Sequence, residues 1–160
     1  MKKTGAIEMS FGMMFSIFLI IMFIVVAIYA INYFLNLSRC SQINLFVNDL
    51  QKSVDDLWKG QKGQVVFSAS LPGKIQKICF ADMSQELTGD EEVIKDIRRD
   101  IETGANFYFY PAKNSCGDPH RTIKHINITG MGNPFCFDNK DKINIKLEKG
   151  FFDALVRIGK

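Results

Sequence analysis

Residues 9–38, MSFGMMFSIFLIIMFIVVAIYAINYFLNLS, contain no charged side chain. As a helix the run spans about 45 Å, against about 30 Å for the hydrocarbon core of a bilayer, so it predicts a membrane-crossing helix. From Ile43 the pattern changes. Ile43, Phe46, Val47, Leu50, Val54, Leu57 and Trp58 recur at helical spacing, while Asn44, Asn48, Asp49, Lys52, Asp55 and Asp56 fill the other faces. No glycine stands between Gly12 and Gly60, and no proline precedes Pro72. The two stretches read as one continuous helix from about residue 8 to about residue 59, closed by Gly60 as a C-cap. Its second half carries an apolar stripe that needs a cover, and Val54, Leu57 and Trp58 are expected to lie buried under it.

After Gly60 the period shortens. VVFSAS (65–70) and KIQKICF (74–80) read as strands around a Leu-Pro-Gly turn. Residues 122–128 and 142–147 alternate apolar and polar positions, as half-buried strands do. In NFYFY (106–110), alternation puts Phe107 and Phe109 on one face and Tyr108 and Tyr110 on the other. Core packing explains this run better than a binding surface, and Phe135 and Phe137 around Cys136 fit the same description. Residues 90–103 read as a surface helix with Val93, Ile94, Ile97 and Ile101 as its stripe, acids at its start and Gly104 after it. Residues 151–158 are too short and mixed to assign. The fold class expected is α+β, a long N-terminal helix packed on a small antiparallel sheet.

Charge sets an orientation. Lys2 and Lys3 precede the apolar run, and the next basic residue is Arg39. Short positive N-termini stay cytoplasmic, so residues 39–160 are expected outside. A removable secretory signal is disfavoured, because its apolar part is shorter and ends in small residues. Removing Lys2, Lys3 and Glu8 from totals of 20 basic and 17 acidic residues leaves 18 and 16, interspersed. That balance holds no basic stripe for nucleic acid.

All four cysteines, Cys40, Cys79, Cys116 and Cys136, follow the apolar run. An even count on the expected outer side suits disulfides, and three connectivities are open. Proximity in sequence favours Cys40–Cys79 with Cys116–Cys136; four buried free thiols are the alternative.

The N-terminus resembles archaeal type IV pilin-like proteins of the class III signal-peptide group. Lys2, Lys3 and Gly5, then Ala6-Ile7-Glu8, then the unbroken apolar helix carry the resemblance. It implies a basic leader, residues 1–5, cut by a prepilin-type peptidase between Gly5 and Ala6. It further implies a transmembrane half of the helix, residues 6–38, and a pilin-like extracytoplasmic head, residues 39–160. By the same resemblance Glu8 meets the free amine of a neighbouring subunit during assembly. The partners implied are the membrane, copies of the chain or other pilin-like subunits, and the peptidase. The alternatives are an uncleaved membrane-tethered binding domain and a small zinc-binding ectodomain.

Enzyme signals are thin. The chain has no G-x-S-x-G, H-E-x-x-H, P-loop or G-x-G-x-x-G, so no catalytic residue and no cofactor is expected. Cys116, His120, His125 and Cys136 fall in one window, but their spacing matches no usual zinc pattern, and a disulfide accounts for both thiols. Asn127-Ile128-Thr129 and Asn36-Leu37-Ser38 fit the glycosylation sequon; the second lies too near the membrane, which leaves Asn127 as the candidate.

Overall fold

The computed structural model describes residues 11–99 and 104–159. The chain divides into two compact units between Ser38 and Arg39. Helix α1, Phe11–Lys59, passes that division without a break in its hydrogen-bonded backbone, as the absence of internal breakers predicts. In the first unit no described residue is buried, although every face of the helix is apolar.

The head, from Arg39 onward, holds the other elements: strands β1 (Gly63–Ala69), β2 (Lys77–Phe80), β3 (Phe107–Tyr110), β4 (His120–Arg121), β5 (Ile126–Asn127), β6 (Phe135–Asp138), β7 (Ile143–Lys149) and β8 (Val156–Gly159), with helix α2 (Glu91–Arg99) between β2 and β3. The α+β class stands, but the single antiparallel sheet does not. The strands form two four-stranded sheets, in the orders β1-β7-β8-β5 and β4-β3-β2-β6. All pairs are antiparallel except β5 beside β8. The strands flanking Leu71-Pro72-Gly73 therefore belong to different sheets.

The stripe of α1 supplies the centre of the larger core. Ile43, Phe46, Leu50 and Val54 are buried with Phe67, Ile143, Ile145, Leu147, Val156 and Ile158 from the first sheet, and with Ile78, Phe80, Phe107, Phe109 and Phe137 from the second. The second sheet is apolar on both faces. Its far side, Cys79 and Tyr108, packs with Val93 and Ile97 of α2, Leu87 and two alanines in a smaller core. The alternation in NFYFY is thus two buried faces, Phe107 and Phe109 in one core and Tyr108 and Tyr110 at the other. Asp90 caps α2, its carboxylate accepting the N–H groups of Glu92 and Val93 at 3.1 and 3.4 Å. Ile101 lies outside the described residues.

Three local expectations are corrected. Gly60 follows α1 but lacks the left-handed φ of a C-cap glycine. Instead its N–H donates to the Leu57 carbonyl at 3.1 Å. The Lys149 ammonium donates to the carbonyls of Trp58 and Gly60, a cation where helix carbonyls lack partners. Second, the alternating stretch 122–128 is a strand only at Ile126–Asn127. Side-chain amides take its backbone: Asn106 bonds both N–H and C=O of Ile123 at 2.8 and 2.9 Å, and Gln51 accepts the Lys124 N–H at 2.8 Å. His125 then turns the chain with a φ of 63°, a conformation His adopts more readily than most residues.

The third correction concerns the bridges. All four cysteines are oxidised, but the pairs are Cys40–Cys116 and Cys79–Cys136, with Cα separations of 5.6 and 4.1 Å. The expected Cys40–Cys79 and Cys116–Cys136 pairs fail because sequence proximity is not spatial proximity here. Cys79 on β2 and Cys136 on β6 stand directly opposite each other across the ladder, so their side chains share a face. Cys116, in the loop before β4, is left to reach α1.

Candidate functional site

The described part of the N-terminal unit is a candidate contact surface by its chemistry. Its helix is long and apolar enough to cross a membrane. Phe11, Phe18, Phe23, Tyr29 and Phe34 are among its many exposed large side chains. Bare apolar surface of this extent is stable only against lipid or other apolar helices. Ser16 costs little there, because its hydroxyl donates to the Gly12 carbonyl at 2.8 Å. Lys2, Lys3, Gly5, Ala6 and Glu8, on which leader processing and subunit assembly turn, lie outside the described residues.

The head contributes a polar constellation that the sequence analysis did not single out. His125 Nδ1 lies 2.8 Å from Asp55 Oδ1, and Gln51 donates to the same oxygen at 2.8 Å. The His125 ring stacks on Trp58 with centroids 3.8 Å apart and planes 5° from parallel. Trp58 Nε1 donates to the Ala154 carbonyl at 3.0 Å, and Val156 N–H to the His125 carbonyl at 2.9 Å. The expectation for the end of the stripe is therefore met only at Val54, which is fully buried. Leu57 and Trp58 are half-buried, Leu57 against Gly63 at the start of β1 and Trp58 against the 125 loop. The only sequence signal was spacing: Gln51, Asp55 and Trp58 share one side of a helix at intervals of four and three.

The cluster ties α1 to the loop before β5. The His125 hydrogen bond, aided by Gln51 and by the positive charge of Lys59, holds the Asp55 carboxyl below its ordinary 3.8, against a smaller upward push from burial. A folded value below the unfolded one means a contribution to stability that is present above the unfolded value and lost as pH falls through the folded one. Asp55→Asn should thus lower the urea midpoint at neutral pH, and the gap from the parent should close in acid below pH 3.8. Unfolding curves followed by Trp58, the single tryptophan, measure both.

The structure does not bring the cysteine–histidine window together as one ligand set. Cys116 and Cys136 are committed to two different disulfides. His125 faces Asp55 and Trp58, and His120 sits on β4 opposite Tyr108. Asn127 lies on β5, half-buried, with its side-chain oxygen accepting the Thr129 N–H and hydroxyl at 2.9 and 2.6 Å. The loop between β7 and β8 exposes Phe151 and Phe152, rings edge to face at 5.1 Å.

Comparison with known proteins matched the chain to no protein-family model, no curated protein and no solved structure.

Proposed function

We propose that this chain is a type IV pilin-like subunit, or minor pilin, of a cell-surface filament or secretion apparatus, and works as a structural and interaction protein rather than an enzyme. One observation carries the reading: an unburied, uncharged helix continues without a break into the helix on which the head is built. A helix apolar on every face suits two environments in turn, a bilayer and a bundle of like helices. The head's two disulfides suit an oxidising compartment. With Lys2 and Lys3 held inside, the head faces outward.

The leader supplies the test. Cleavage between Gly5 and Ala6 removes both lysines and creates an amine on Ala6. Near the bilayer edge that amine can pair with Glu8 of a neighbour, a charge pair that gains strength in a drier setting only when both partners are matched. The native protein is expected to begin at Ala6, and Gly5→Leu, which puts a bulky side chain at the scissile position, should leave the full-length chain. Mass spectrometry of the native N-terminus reads both. A native chain that keeps Met1 or Lys2 makes this protein a membrane-tethered ectodomain instead.

A further inference from the structure

Sheet edges are a hazard, because an outer strand offers unpaired N–H and C=O groups to any extended chain. Natural proteins blunt them with short strands, charges, prolines or bulges. Three of the four outer strands here follow that rule: β4 and β5 have two residues each and β6 has four. The fourth does not. β1 has seven residues, Gly63-Gln64-Val65-Val66-Phe67-Ser68-Ala69, none charged and none proline. It pairs with β7 over all seven without a bulge. Among the described residues no backbone hydrogen bond reaches its other side. Val65 and Val66 remain 41% and 54% exposed.

The occupant is written in the strand itself, which is chemically palindromic about Val66. Laid antiparallel against a second copy, Gly63 faces Ala69, Gln64 faces Ser68, Val65 faces Phe67 and Val66 faces Val66. Small side chain meets small, amide meets hydroxyl, and β-branched meets aromatic. A β-branched side chain opposite an aromatic is a favourable cross-strand pair, and no like charges oppose. The arrangement is two-fold symmetric, as a closed dimer requires. We propose that β1 is a self-pairing edge through which two copies of this chain join their first sheets into one continuous sheet.

The geometry sets how the copies meet. Gly63 lies against Leu57, and the rings of Phe67 and Phe46 are 5.3 Å apart, so β1 runs back along the head portion of α1. A two-fold axis normal to the sheet reverses strand and helix together. The head portions of α1 then run in opposite directions, so the copies meet head to head. This contact is distinct from the side-by-side packing of apolar helices in the filament reading and does not depend on leader cleavage.

The test uses the full chain in excess detergent, where the apolar helices are separately solvated. Val66→Cys should cross-link to a dimer with a short thiol-reactive linker. Gln64→Cys should fail alone but succeed when mixed with Ser68→Cys, which fixes the register. Val66→Lys places two cations at the two-fold axis and should weaken the dimer roughly tenfold or more, with near-ultraviolet dichroism and both disulfides retained because that side chain is exposed. The proposal is overturned if Val66→Cys links no faster than a control at exposed Lys140, if Gln64→Cys links to itself, or if the dimer survives Val66→Lys. A chain that stays monomeric at high concentration overturns it too, leaving a different protein as the strand's partner.

Discussion

Replacing Phe107 by Ala is expected to destabilise the head by about 3–5 kcal/mol, as large-to-small changes of buried aromatics do. Phe107 is fully buried, on one of the two inner strands of the second sheet. Its ring meets Phe80 and Phe109 edge-on at 5.1 Å each and stacks toward Phe46 of α1 at 6.4 Å. The variant removes the aromatic that joins the sheet to the helix, and rigid elements on every side hinder collapse of the cavity. Tyr110→Phe, which keeps the ring and loses only a long 3.3 Å hydrogen bond to Glu92, should cost less than about 1 kcal/mol. Denaturant unfolding of the full chain in detergent, followed by Trp58, separates the two.

Loss of the Cys79–Cys136 bridge should be of similar size. In the chain-entropy account a closed loop of 57 residues restricts the unfolded chain by about 4 kcal/mol. The double variant Cys79→Ala with Cys136→Ala should lower stability by about that amount. Cys79 is fully buried within the smaller core beside α2. Part of the effect is therefore expected as looser packing of that helix, visible as faster amide exchange over Val93 to Ile97. Peptide mapping of the parent chain under non-reducing conditions should recover Cys40 with Cys116. Recovery of Cys40 with Cys79 instead would contradict the ladder in which Cys79 and Cys136 are opposite partners.

Much of the helical part was legible because its causes are local. Freedom from Gly and Pro between Gly12 and Gly60 suffices for an unbroken α1, and the stripe Ile43, Phe46, Leu50, Val54 marks its buried side. The alternation in residues 106–110 showed two faces, though not that both are buried, since that depends on α2 covering the far side. Residues 122–128 misled for a non-local reason: Asn106 and Gln51, distant in sequence, supply backbone partners that a strand neighbour would otherwise give. The cysteine pairing was hidden for the same reason. It follows from which strands lie side by side, and no spacing encodes that. As for the candidate site, the bare apolar helix was plain in the sequence, while the Asp55–His125–Trp58 cluster required the fold. The strand at 65–70 was legible, but its place at an outer edge belongs to the topology.

The contacts that finish α1 have a consequence for the order of synthesis. The carbonyls at its end are held by Lys149, 91 residues beyond Trp58, and the Trp58 indole by Ala154, 96 residues on. Cys40 waits 76 residues for Cys116. At roughly 5–20 residues per second, the end of α1 emerges about 5–20 s before these partners are made. The contacts that finish α1 therefore close only after the last strands have been made, so the end of the helix is completed late in synthesis.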